Sequence, residues 1–110
     1  MKVFISQPMR DKTHEEILSS IRAVREHLEK FFKSTNIEII ESYHPENKNK
    51  KALEALGDSI KKLEEADFAV FLDDWNQYRG CKVEHSVAEY YNVPHIEIKT
   101  VNGLLEIVGK

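Results

Sequence analysis

Glu84 is the residue whose type and position most strongly suggest chemistry in this sequence. On a helix it shares one face with Cys81, Val87, Ala88 and Tyr91, and it is the only charged member of that face. A glutamate near the amino end of a helix is attracted by the helix dipole and by free backbone N–H groups. A carboxylate that is shielded from water, rigidly aimed and still ionised is suited to act as a nucleophile in glycosyl transfer. A purely structural helix-start acid is the alternative that the pattern leaves open.

The other reactive side chains give weaker signals. Cys81 lies at a helix start, where its pKa is expected to be lowered, but the sequence places no histidine or asparagine partner beside it. The five histidines are scattered, no two are four residues apart, and His85 is expected on the surface, so the sequence predicts no metal site and no cofactor. Trp75 and Tyr78 are loop aromatics that either close over the core or contact a ligand.

The elements that must position these side chains follow from the apolar pattern. In chain order we predict a strand over 2–6, a helix from Thr13, a strand over 37–40, a polar loop over 42–51, a helix marked by Leu53, Leu56, Ile60 and Leu63, a strand over 68–72, a helix over about 80–92 and a strand over 95–98. Thr13 and Glu16 have the spacing of a capping box, and the first helix carries an apolar stripe of Ile17, Ile21, Val24, Leu28 and Phe31. Asn102 and Gly103 suggest a hairpin turn, with a short helix after Gly103 as the alternative.

This alternation predicts an α/β fold with a parallel sheet of four or five strands and helices on both faces. Ligands bind such sheets outside the carboxyl ends of the strands. The rule points to two loops, residues 6–13 and 73–81. The first contains Gln7, Pro8, Met9 and Arg10, and the second holds the only tryptophan.

Composition narrows the class of protein. The 110 residues fit one domain, with 41% hydrophobic and 32% charged residues, and the net charge of −3 argues against nucleic-acid binding. We expect no membrane association, because the chain has neither a long apolar run nor a signal peptide's apolar stretch at its start. The single cysteine excludes an internal disulfide and a cysteine-rich zinc site, so we expect a cytoplasmic protein.

Four segments together resemble a known family: V-F-I-S-Q-P-M-R, A-D-F-A-V-F-L, W-N-Q-Y-R-G-C-K-V-E-H-S-V-A-E-Y and the following V-P-H-I. They look like the nucleoside 2-deoxyribosyltransferase-like superfamily, and most like its compact branch in bacteria and phages. The similarity runs from the first predicted strand to the fourth. It implies a flavodoxin- or Rossmann-like three-layer sandwich and cleavage or exchange of the N-glycosidic bond in a nucleoside or nucleoside monophosphate.

The resemblance also implies roles for particular residues. Glu84 matches the catalytic glutamate that attacks the anomeric carbon, and Asp74 or Asp58 is the candidate acid. The residues implied to contact the substrate are Ser6, Gln7, Pro8, Met9, Ser59, Trp75, Tyr78, Gly80 and Cys81. Among them, Trp75 or Met9 would stack on the base, and the N–H groups of Gly80 and Cys81 would hold the 5′ group. Members of this superfamily close their clefts with a neighbouring subunit, so we expect a homodimer or higher homo-oligomer.

Three positions depart from the family pattern. Phe4 replaces a tyrosine of the family's first strand. Ser59, next to Asp58, occupies the position of a family carboxylate. Tyr78 occupies a position where the transferases have Asp and the nucleotide hydrolases have Ser. Loss of the second carboxylate matters most, because proton transfer commonly contributes about 10²–10⁴-fold in rate. A non-catalytic nucleotide- or nucleotide-sugar-binding protein is therefore the alternative function. A receiver-type signalling domain is disfavoured, because the first strand ends in Ser6 and Gln7 and not in an acidic pair.

Overall fold

The computed structural model describes residues 1–8, 12–34, 36–40 and 51–109. The strands are β1 (Lys2–Ser6), β2 (Glu38–Ile40), β3 (Phe68–Phe71), β4 (His95–Val101) and β5 (Leu104–Gly109). The helices are α1 (His14–Phe32), α2 (Ala52–Glu64) and α3 (Arg79–Tyr90), and a short 3₁₀ helix spans Trp75–Gln77. Met9, Arg10 and nearly all of the predicted polar loop over 42–51 lie outside the described residues.

The strands form one sheet in the order β2-β1-β3-β4-β5. The first four are parallel, as predicted, with Ser6 beside Phe71 and Phe71 beside Glu97 in the register. β5 runs antiparallel to β4, so the sheet is mixed and not parallel throughout. The cause is the connection between them, because a two-residue turn can join only antiparallel neighbours.

That turn is the predicted hairpin. Asn102 has a φ of 53° and Gly103 a φ of 79°, the pair of positive angles that a type I′ turn requires. The hairpin extends β4 to Val101, three residues beyond the predicted strand.

Alternation along β1 and β3 divides the core between the two faces of the sheet. One face buries Val3, Ile5 and Val70 against Val24 and Leu28 of α1. The opposite face buries Phe4, Ala69 and Phe71 against Leu63 of α2 and Ala88 of α3. The molecule is therefore an α/β sandwich of three layers, with α1 on one side of the sheet and α2 and α3 on the other.

The helix α1 begins where its sequence signal predicts. The capping box of α1 is confirmed, with Thr13 accepting from the Glu16 N–H and Glu16 accepting from the Thr13 N–H. Among the described residues, none of the helices is both long and apolar enough to cross a bilayer.

Three apolar residues that we expected to be buried are exposed: Phe31, Leu53 and Tyr91, at 57%, 82% and 78%. Each lies at or beyond a helix end. A 19-residue helix is about 28 Å long, whereas a five-residue strand spans about 17 Å, so the last turn of α1 extends past the sheet. Tyr91 follows the last residue of α3.

Candidate functional site

Glu84 and Ser6 meet inside the protein at the carboxyl end of β1. Ser6 is the last residue of β1, and Glu84 lies in the second turn of α3, which packs over the sheet. The Ser6 hydroxyl donates to Oε1 of Glu84 at 2.6 Å. Ser6 is 2% exposed and Glu84 is 8% exposed. The prediction that Glu84 faces the sheet and is shielded from water is confirmed.

Two further side chains complete this arrangement. Ser59 of α2 hydrogen-bonds the Glu84 carboxyl group, and the Cys81 thiol hydrogen-bonds Ser6. Ser59 is half-buried, and Cys81 is buried one turn before Glu84. We call Ser6, Ser59, Cys81 and Glu84 the Glu84 cluster. It joins β1, α2 and α3, and all four members are among the predicted site residues.

Burial governs the charge of Glu84. It raises the pKa of the carboxyl group above its ordinary value of 4.5, and the hydrogen bonds from Ser6 and Ser59 oppose the shift without cancelling it. We expected the helix start to favour the ionised form. Glu84 lies beyond the first four residues of α3, whose N–H groups are the unpaired ones, and its partners are hydroxyls instead.

Burial is also the largest influence on the pKa of the Cys81 thiol. It raises the pKa of Cys81 to about 11, with Ser6 opposing the shift and the neighbouring charge of Glu84 adding to it. The expected lowering of this pKa by the helix start is wrong. Cys81 is a protonated thiol at neutral pH, which removes it as a nucleophile.

The loop after β1 and the start of α3 lie next to the Glu84 cluster in the chain. Gln7 is 8% exposed and Pro8 is buried, so the chain leaves β1 without turning directly into solvent. Tyr78 precedes α3 and is half-buried, as is Gly80 in its first turn. The backbone N–H groups of Gly80 and Cys81 lie in the first turn of α3, where they have no partner within the helix. Such a helix start is suited to bind an anion.

The candidate acids are placed differently from one another. Asp58 is half-buried on α2, one residue before Ser59. Asp74 is exposed, with a φ of 63°, and precedes the 3₁₀ helix. Asp73 accepts the Thr100 N–H at 2.9 and 3.1 Å, which ties this loop to β4. Of the two candidate acids, Asp58 is the one adjacent in sequence to a member of the Glu84 cluster.

Trp75 takes part in a second group of side chains, beside β4. Its ring stacks on His85 at 3.9 Å between centroids and 14° between planes, and its Nε1–H donates to Glu97 at 3.2 Å. The prediction that His85 lies on the surface is wrong, because only 13% of its side chain is exposed. One face of Trp75 is therefore already covered by a protein ring.

Sequence reasoning missed His95 and Glu97 altogether. They are two residues apart in β4, so they point to the same face of the sheet, towards α3. His85 and Glu89 are four residues apart on α3, so they occupy successive turns of one face. These two spacings were visible in the sequence, but nothing in it indicated that these particular side chains of β4 and α3 would face each other.

No protein-family model matches the chain, and no curated protein is significantly similar to it. The chemistry must therefore be argued from the residues themselves. They provide a buried carboxyl group held by two hydroxyls, at the edge of the sheet where ligands bind and beside a helix start that is suited to an anion.

Proposed function

We propose that this protein cleaves or exchanges the N-glycosidic bond of a nucleoside or nucleoside monophosphate, with Glu84 as the nucleophile. The observation that carries the proposal is the buried 2.6 Å hydrogen bond between Ser6 and Glu84. It fixes one carboxylate oxygen and so aims the group, as nucleophilic catalysis requires. The element order and the two helix-covered faces also support a flavodoxin- or Rossmann-like classification, which we propose together with the function and a cytoplasmic location.

The proposed reaction has two steps. A carboxylate oxygen of Glu84 bonds to the anomeric carbon while the bond from that carbon to the base nitrogen breaks, and the base leaves with the electron pair. Asp58, on the helix that also holds Ser59, is the candidate to supply the proton that neutralises the base, with Asp74 as the second candidate. Water then hydrolyses the sugar ester, or a second base displaces the carboxylate.

The start of α3 is the proposed site for the 5′ group of the sugar. Unpaired N–H groups at Gly80 and Cys81 attract an anion without a basic side chain. A 5′-phosphate placed there lies within one to two turns of Glu84 along the helix. The protein should therefore favour monophosphates over nucleosides.

Base release from a panel of nucleosides and monophosphates, followed by chromatography, tests the proposal. Free base added to parallel samples distinguishes exchange from hydrolysis. We expect Glu84→Gln, which keeps the shape of the side chain, to lose at least about 10³-fold in rate. Glu106→Gln, an exposed glutamate on β5, is the matched control and should keep full activity. Release that persists undiminished in Glu84→Gln would refute Glu84 as the nucleophile.

The contact between Ser59 and Glu84 favours a second candidate function. A hydroxyl takes the position where the resembling family has a carboxylate, and a hydroxyl is a poor donor of a full proton. In this alternative the protein binds a nucleotide or nucleotide sugar without cleaving it, and Glu84 accepts hydrogen bonds from the sugar hydroxyls. Tight binding by calorimetry with no base released in the same samples would establish this alternative.

A further inference from the structure

Three side chains of the types that bind metals lie close together between α3 and β4. They belong to His85, Glu89 and His95. His85 and Glu89 occupy successive turns of α3, and His95 is the first residue of β4. One donor atom from each lies within 4.8 Å of the other two. Two imidazoles and a carboxylate are a common donor set for Zn²⁺ in proteins.

The hydrogen bonds of the two imidazoles leave nitrogen lone pairs available. Nδ1 of His95 lies 2.9 Å from the Val93 carbonyl oxygen, so it carries the proton and Nε2 is left as the ligand atom. A second ring N–H that donates to a backbone carbonyl is typical of histidines that bind metals.

His85 carries the observation that most needs explaining. Its Nδ1 lies 2.8 Å from Oε1 of Glu89, whereas its Nε2 is buried and has no hydrogen-bond partner among the residues that the structure describes. A buried nitrogen without a partner is unfavourable, and native proteins rarely leave one. A cation coordinated by this Nε2 removes the cost, because the nitrogen then has a partner.

The surroundings favour a defined and accessible site. Trp75 stacks on one face of His85, and the Phe71 ring meets it edge-on at 4.8 Å, so the imidazole is fixed in orientation. Glu97 accepts from Trp75 through Oε1, and its Oε2 lies 4.0 Å from Nε2 of His85. Glu89 is 59% exposed, and together with His95 it lines an open groove, through which an ion can enter.

We propose that His85, Glu89 and His95 form a binding site for a divalent transition metal, with Zn²⁺ as the expected ion. Bonds of about 2.0–2.2 Å place tetrahedral ligands roughly 3.4 Å apart. The donor atoms lie within 4.8 Å of one another, so the widest of their separations has to shorten by at most about 1.4 Å. Three protein ligands leave the fourth position open to water from the groove.

This site is separate from the Glu84 cluster. Glu84 contacts Ser6 and Ser59, whereas the adjacent His85 faces Trp75, Phe71 and His95. The metal would tie α3 to β4 and so hold the helix that carries Glu84. The proposal does not depend on the glycosidic function.

Titration of the chelator-treated full chain with ZnCl₂ in a calorimeter tests the site. We expect one Zn²⁺ per chain. Trp75 is the only tryptophan, and it stacks on His85, so its fluorescence should change in parallel with the heat. Co²⁺ should give the visible absorption of a tetrahedral site, which reports ligand geometry independently of any activity.

The variants distinguish this site from adventitious binding and from the function proposed above. His95→Gln and Glu89→Gln should each weaken Zn²⁺ binding by at least about tenfold. His27→Gln, a half-buried histidine on α1, should leave binding unchanged, and so should Glu84→Gln. Circular dichroism confirms that each variant is folded. An absence of binding by the parent chain, or unchanged affinity in either His95→Gln or Glu89→Gln, would overturn the assignment.

Discussion

The charge of Glu84 depends on a balance between burial and two hydroxyl donors. Burial disfavours the carboxylate, whereas Ser6 and Ser59 stabilise it by hydrogen bonding. Ser6 is the donor with the short, buried bond, and it also contacts Cys81. Ser6 is therefore the positioning residue whose removal should be most informative.

We predict that Ser6→Ala raises the pKa of Glu84 further, because a donor to the carboxylate is lost. The acidic limb of the kcat/KM profile should move to higher pH, since Glu84 must be ionised to attack. Leaving a buried acceptor unpaired should also lower the free energy of unfolding by about 1–3 kcal/mol. Ser86→Ala, at an exposed serine of α3, is the control. An unmoved acidic limb in Ser6→Ala would show that Ser6 does not influence the charge of Glu84.

Glu84 should also make stability depend on pH. Below pH 4.5 the carboxyl group is protonated in both the folded and unfolded chain, and its burial costs least. As the pH rises through 4.5 towards the higher pKa of the folded state, the unfolded chain loses its proton first, so the free energy of unfolding falls. That loss persists at all higher pH.

We therefore predict that Glu84→Gln increases the melting temperature at neutral pH and changes it less at acidic pH. The difference from the parent chain should grow as the pH rises above 4.5, because the carboxyl group titrates and glutamine does not. Thermal denaturation in buffers that contain a chelator measures it without interference from bound metal. Glu106→Gln should show no such trend, and a pH-independent difference for Glu84→Gln would contradict the prediction.

At the scale of the elements, the hairpin of β4 and β5 depends on one glycine. Gly103 has a φ of 79°, whereas Gly57 lies inside α2, and at either position an added Cβ meets no atom of the described residues within 4 Å. The same substitution should therefore have opposite effects at the two sites, and only backbone conformation distinguishes them.

We predict that Gly103→Ala destabilises the protein by about 1–2 kcal/mol, because alanine is strained in the left-handed region. Gly57→Ala should stabilise it by about 0.5–1 kcal/mol, because glycine has the higher entropy cost in a helix. Denaturant unfolding of both variants beside the parent chain measures the two free energies. A destabilised Gly57→Ala would mean that α2 makes contacts at Gly57 beyond those described.

At the scale of the whole molecule, α3 lies between two groups of polar side chains. Glu84 extends to Ser6 at the end of β1, and His85 extends to the face of β4. The order β1-β3-β4 in the sheet explains this division, because α3 packs over β3, the strand between them. One helix thus supplies the proposed nucleophile and two of the three proposed metal ligands.

Self-association remains a prediction at this scale. We expect a second copy of the chain to close the site at the carboxyl ends of the strands. Large side chains such as Tyr90 and Leu104 are 84% and 70% exposed. Light scattering on the eluting peak should give a mass at least twice the 12.8 kDa of one chain. Dilution should reduce both that mass and the activity per chain. A mass of one chain at every concentration would contradict the prediction.

Local signals determined the elements and one half of the site. The Thr13 capping box, the buried run at Phe68 and the Asn102 turn each act over a few residues, so the sequence was sufficient to predict α1, β3 and the hairpin. Glu84 was predictable for the same reason, because a charge on an apolar helix face is visible in the 3.6-residue period.

The remaining features depended on contacts between distant segments. The sequence could not show that burial would outweigh the helix start at Glu84 and Cys81, because desolvation is set by packing against β1 and α2. It also could not show that His85 and His95 would approach each other, since the order of strands in the sheet decides which helix covers β4. Periodicity thus determined which residues turn inward, and only the tertiary structure decided which neighbours they meet there and how those neighbours shift their charge.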